Sequence, residues 1–535
     1  MDRRAFFRLA PSPMEAPSQD RPPLMPLNIS TGLEPHTALL EQASAAHLLR
    51  RAHFGAAPDE RTAYLGQPAA DVAAALVQEA VEAPMPDPPE WINNVPPGRD
   101  ASQEERQAYR NQDRANLRAW VADWYRRMTE YGLREKMTLF WHNHFVTEVQ
   151  TYPPSRRAPF AYRYVTALRT HALGNFKDFV RAIGLDPAML RYLNGVQNRA
   201  GAPNENYARE LCELFTMGQF DGQGNENYTQ PDLEEIARAL TGWRINDDYT
   251  VRLVPNRHDD GEKTIFGRTG NWGYDDVIDI LFDERAPQIA EFLARKLYRE
   301  FIYAAEDESL VAALAQVFLD NNFEIAPVVS ALLSSAHFFD DQVAGAHIKS
   351  PIELTIGYVI ELDAAPQNRF FNTLTRATEP LQQALLSPPN VAGWKGHHSW
   401  LNTNTFPARW NILDQLSRFI SNTDSGPYIA LAEKLHDSSD PNAAFVLPVA
   451  LAEHLFSVSL DVLEVPVSNE PFAGDLESFP IPDEVVNGPA YAYNLAKLFL
   501  ADTPWYEWDL NANNAVGRIS TYFQALRFLP EFQLA

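Results

Sequence analysis

The sequence predicts an all-α chain: a multi-helix, bundle-like globular fold with one small β-hairpin near residues 249–266. Three observations predict it. Apolar residues make up 45% of the chain and charged residues 21%, the balance of an ordinary globular protein that buries a large core. Apolar side chains recur at three- and four-residue spacing from residue 101 to residue 420, as one face of a helix requires. Only residues 249–266 depart from this, where Val251 and Leu253, then Ile265, flank a polar turn.

The chain has 535 residues, and at about 150 residues per domain this length allows roughly three to four domains. Texture divides it into a proline-rich arm (1–35), a main helical domain (36–420) and a C-terminal helical extension (421–535). Fifteen of the forty prolines fall in the first hundred residues, and each removes an amide that a helix or sheet needs. Helical spacing begins at 39–53 and 69–82, and a second proline cluster at 84–97 reads as a linker. A long charged helix then runs from residue 101 through Trp120 and Trp124, followed by a helix from Leu133 to about Val146. Thr229 and Asp232 form a helix-starting box, with Leu233, Ile236, Ala237 and Leu240 as the apolar stripe behind it. Further helical runs cover 204–217, 286–302, 310–319, 327–338, 352–362, 379–386 and 407–420, with no internal repeat.

Composition also bounds function. A net charge of -25 repels phosphate backbones and argues against a nucleic-acid partner. The single cysteine, Cys212, supports neither an intrachain disulfide nor a cysteine-based zinc site. No run of about 18 apolar residues exists to span a membrane. The start, Arg3-Arg4-Ala5-Phe6-Phe7-Arg8, resembles a twin-arginine export signal. Prolines interrupt the stretch where such a signal needs an apolar core of about 7 to 15 residues. The cytoplasm is therefore the favoured compartment, with export to the periplasm as the alternative. Nucleotide-binding glycine loops, the serine-hydrolase elbow and H-E-x-x-H are all absent.

Four segments carry candidate chemistry. In Trp141-His142-Asn143-His144, His144 falls on the buried stripe; if the helix continues, Glu148 lies one turn on, as a core hydrogen-bond pair or as half of a ligand set. Glu210 and Glu213 align on one helix edge, a spacing that grips a divalent cation or pairs with arginine. The loop His258-Asp259-Asp260-Gly261-Glu262-Lys263 offers a general base, a metal oxygen and a cation together, although Asp260-Gly261 is also a good tight-turn pair. Trp394, His397, His398 and Trp400 sit in a Gly- and Pro-rich loop where the indoles either stack on a glycan or partner or plug the loop onto the core.

Taken together, Arg134-Glu-Lys-Met-Thr-Leu-Phe-Trp-His-Asn-His144-Phe, Asn204-Glu-Asn-Tyr207-Ala-Arg-Glu210-Leu-Cys-Glu213, Tyr228-Thr-Gln-Pro-Asp232 through Thr241-Gly-Trp243, His258-Asp259 with Lys263, and Pro388-Pro-Asn-Val-Ala-Gly-Trp394 resemble the bacterial family known as domain of unknown function 1800, over about residues 40–420. The resemblance transfers no catalytic residue, because the family's activity is not established. It implies export, and a secreted partner with an alkaline-phosphatase-like fold encoded nearby. The proline-rich segment and the C-terminal extension depart from the family pattern. Two functions fit these features. The favoured one is a non-catalytic helical binding or assembly protein that uses the Trp394–Trp400 loop. The alternative is a metal-assisted hydrolase in which His144, Glu210, Glu213, His258 and Asp259 hold a divalent ion, His258 and Asp259 act on bound water, and Lys263 stabilises negative charge.

Overall fold

A computed structural model describes residues 24–423, 426–437, 439–466 and 470–535. The arginine run at residues 3–8 lies outside the described residues. Helix dominates, as the apolar spacing predicts, and among the described residues the strands form two small antiparallel pairs. No described helix is long and apolar enough to cross a membrane.

The 26-residue helix Gln103–Met128 is the frame of the site. It starts where Ser102 and Glu105 exchange hydrogen bonds, the Glu105 amide donating to Ser102 Oγ at 3.1 Å and the Ser102 amide to Glu105 Oε2 at 2.7 Å. It packs against Arg157–His171 on one side and Asn368–Ala377 on another. Gly132–His144 lies beside it and is buried almost all round, which explains why its sequence shows no clean polar face. That burial includes a carboxylate. Glu135 accepts from Arg169 at 2.7 and 2.9 Å, from Trp124 Nε1 at 3.0 Å and from Arg127 at 3.3 Å, so its charge is fully matched in the core.

The β-region differs in pairing from the sequence reading. Val251–Leu253 (β2) does not pair with Lys263–Ile265 (β3). It pairs backward with Trp243–Ile245 (β1), Trp243 opposite Leu253, while β3 pairs forward with Arg268–Gly270 (β4). The reason is turn chemistry. Phe266 and Gly267, at φ of 48° and 81°, supply the two left-handed residues of a two-residue hairpin turn, so β3 closes on β4 rather than on β2. Asp260-Gly261, the pair that looked like the turn, lies in the loop joining the two hairpins.

The last helices, Ala443–Leu455, Ala490–Leu500 and Ala515–Arg527, pack on one another and share the main core. The segment after them returns to the main body, where Lys349 N donates to the Gln533 carbonyl at 2.8 Å.

Candidate ligand-binding groove and the loop that floors it

The segments singled out by sequence come to rest in three different places. The first is the loop between the hairpins. Asp259 accepts from Arg238 Nε at 2.9 Å and Nη2 at 3.2 Å, and from the Gly261 amide at 3.0 Å. The Arg238 hydrogen bond holds its carboxyl below the usual range. The Asp259 amide donates to Thr241 Oγ1 at 2.7 Å, and His258 Nδ1 lies 3.0 Å from the Thr241 carbonyl. Lys263, 1% exposed, donates to the Gly261 carbonyl at 2.7 Å, and burial lowers its pKa. His258, Asp259 and Lys263 thus close the loop on itself and on the residues just before it, while Asp260 and Glu262 are exposed.

The second place is the turn below His144. Gly132–His144 ends at His144, since Phe145 leaves the helical region at φ -96° and ψ 60°, so Glu148 does not continue the face one turn on. His144 Nε2 donates to the Phe215 carbonyl at 2.9 Å, and burial keeps the ring neutral well below its ordinary pKa. Phe215 belongs to Leu211–Thr216, a widened π-type turn that directly follows Asn206–Glu210. Glu213 accepts from the Tyr228 hydroxyl at 3.1 Å. Burial and the neighbouring Glu213 charge push Glu210 up to about 7. Among the described residues no three His, Cys, Asp or Glu side chains group so as to hold a metal ion. Among the described residues the predicted set of His144, Glu210, Glu213, His258 and Asp259 is not gathered into such a group: Phe215 engages His144, Tyr228 engages Glu213, and Arg238 and Thr241 engage the hairpin loop.

The third place is the Gly- and Pro-rich loop, and here two of the sequence-predicted segments do meet. His142 Nε2 accepts from the Leu386 amide at 3.0 Å, so its proton sits on Nδ1, which donates to the Tyr164 hydroxyl at 2.9 Å. Tyr164 in turn donates to the Phe145 carbonyl at 2.7 Å. Asn143 acts like an extra peptide: its Oδ1 accepts from Trp394 N at 2.6 Å and its Nδ2 donates to Trp394 O at 3.2 Å. Only glycine fits beside it, since Gly393 has φ +78° and a Cβ there would lie 2.3 Å from Asn143 Oδ1. Trp394 and Trp400, 6% and 7% exposed, pack with Ile348 in a small apolar cluster of their own. Little of either indole is exposed, although both lie along the groove that the loop floors. His397 turns inward, with Nε2 at 3.1 Å from the Arg299 carbonyl, while His398 is exposed.

Clamped in this way, the loop floors a depression of about 850 Å³ that runs between it and the Gln103–Met128 helix, with Val121, Gln150, Gln382, Asn390 and Lys395 among the lining. A second depression of about 620 Å³ continues from it along Asn368–Ala377 and Thr405–Thr423, where Asn372, Asn411 and Gln415 lie. The two share Arg118, Thr375 and Arg376, so they form one elongated groove with two guanidinium groups at its saddle. Glu379 is the acidic side chain that lines the first depression. In a chain of net charge -25 the groove is locally basic. Sequence reasoning pointed to the loop but missed Arg118 and Arg376, which look like any solvated charge on a helix surface; only the packing of Gln103–Met128 against Asn368–Ala377 brings them together.

A family model described as protein of unknown function (DUF1800) matches residues 47–524, and the chain belongs to that family. No curated protein and no solved structure matches it.

Proposed function

We propose that this DUF1800 member is a binding protein whose groove takes an elongated, hydroxyl-rich and negatively charged ligand, an acidic oligosaccharide. One observation carries this reading: two contiguous depressions meet at Arg118 and Arg376 and are lined on either side by amide side chains. A carboxamide both donates and accepts, which suits vicinal hydroxyls, and a guanidinium takes a carboxylate through two parallel bonds. Each depression lies within the range of roughly 300–1,000 Å³ usual for small-molecule sites, so the pair suits a chain of a few sugar units.

Calorimetric titration with trigalacturonate, and with an uncharged trisaccharide as control, tests it. The acidic ligand is expected to bind, more weakly as salt rises. The Arg118→Ala, Arg376→Ala double variant should lose tenfold or more in affinity. Equal binding of the charged and uncharged ligands, or an unaffected double variant, would remove the basis for the reading.

One observation favours the alternative of a hydrolase. Glu210 is a half-buried carboxyl raised to about 7 beside a second carboxylate, the environment that keeps a proton available for general acid catalysis. That reading predicts that Glu210→Gln abolishes a hydrolytic activity while leaving groove binding intact.

A further inference from the structure

His347 and His397 meet edge to face, with ring centroids 5.0 Å apart and planes at 73°. Each ring is oriented through Nε2. His347 Nε2 meets Glu353 Oε2 at 3.3 Å, and His397 Nε2 meets the Arg299 carbonyl at 3.1 Å. Acceptors at both Nε2 atoms place the protons there and leave a lone pair on each Nδ1. Both Nδ1 atoms are buried and without a hydrogen-bond partner among the described residues. An imidazole whose far nitrogen donates to a carboxylate or a carbonyl, with its near nitrogen open, is the arrangement of a metal-ligating histidine.

We infer that His347 and His397 form a two-imidazole site for a borderline transition-metal ion such as Zn²⁺ or Cu²⁺, bound through the two Nδ1 atoms and completed by solvent or a ligand. The spacing agrees with this. An ion about 2.1 Å from each nitrogen, at a near-tetrahedral angle, separates the ring centres by roughly 5 Å. Burial lowers the two imidazoles to about 3 and about 4, so both are neutral and ready to coordinate near neutral pH. The charges around them nearly cancel: Arg51 opposes a cation, Lys136 is paired with Glu353, and Glu353 and Glu300 offset Arg51. His397 also holds a left-handed φ of +47°, a conformation that costs energy in a non-glycine residue and fits a constrained position. No residue of this pair belongs to the set His144, Glu210, Glu213, His258 and Asp259, and the inference does not depend on the groove reading.

The test is calorimetric titration of the full chain, carrying no affinity histidines, with Zn²⁺, alongside electron paramagnetic resonance of the Cu²⁺-loaded protein. One ion per chain and a two-nitrogen copper spectrum are expected. His347 is buried, so His397→Ala, at a half-buried position, is the primary variant and should weaken binding tenfold or more. His398→Ala, the exposed neighbour, should bind like the unaltered protein. Absence of saturable binding, or equal affinity in His397→Ala, would overturn the inference; failure of trigalacturonate to bind would not affect it.

Discussion

Two loops in this protein carry histidine and glycine, and they differ in what holds them. The loop at residues 258–263 is held by its own side chains and the helix just before it. Arg238 takes Asp259, Thr241 takes His258, and Lys263 folds back to Gly261, so these three side chains are used in making its shape. The loop at residues 386–400 is held through its backbone by a distant helix. His142 takes the Leu386 amide and Asn143 takes both peptide groups of Trp394, leaving Gln382 and Asn390 beside it to line a groove. A loop clamped from outside presents side chains, and a loop that clamps itself does not.

The comparison can be broken by experiment, beginning with the largest effect. Gly393→Ala puts a methyl against Asn143 Oδ1 at a left-handed position, and the two penalties together should cost about 3 kcal/mol and abolish groove binding, read by chemical denaturation and ligand titration. Asn143→Ala leaves the Trp394 amide and carbonyl without their partner. It should cost about 2 kcal/mol and weaken binding, whereas a loop pinned by Trp394 and Trp400 alone would bind unchanged. Asp259→Ala removes a half-exposed ion pair on the other loop. It should cost about 1 kcal/mol and leave groove binding unaffected.

Acid should act on the clamp more subtly. His142 is neutral in the fold, lowered by burial to about 3 from 6.5. Between those values the unfolded chain binds the proton and the native chain does not, so the stability this residue contributes falls as pH drops from 6.5 towards 3. His47, His347, His397 and His454 are shifted the same way by burial, while Glu210 and Asp186, both raised to about 7, work in the opposite sense. With His144 lowered further still, the imidazoles outnumber these carboxyls and predict a net loss of stability on acidification over this window, measurable as a falling denaturation midpoint. A midpoint that holds or rises down to pH 4 would contradict that net loss.

Much of the fold was legible because its cause is local. Apolar spacing marked out many of the helices, and the Thr229 and Asp232 box marked a real helix start, but residues 379–386 form turns, and Arg157–His171, Tyr274–Glu284 and Asn368–Ala377 were left unmarked. The hairpin pairing was not legible, because Asp260-Gly261 and Phe266-Gly267 compete as turns, and only the backbone conformation at 266 and 267 decides between them. Within the site, the Trp141-His142-Asn143-His144 segment and the 387–400 loop were both conspicuous, yet nothing local reveals that Asn143 and Trp394 are partners 251 residues apart. Arg118 and Arg376 carry no signal at all until two helices pack. The expected metal set is not gathered among the described residues, because Arg238 and Tyr228 engage members of it and their reach is set by geometry the sequence does not show.

Hydrogen exchange of the full chain with and without trigalacturonate tests the groove most directly. Protection should appear in residues 372–400 and around Arg118, with residues 258–263 unchanged. Protection centred on residues 258–263, or on neither region despite saturating ligand, would contradict the assignment.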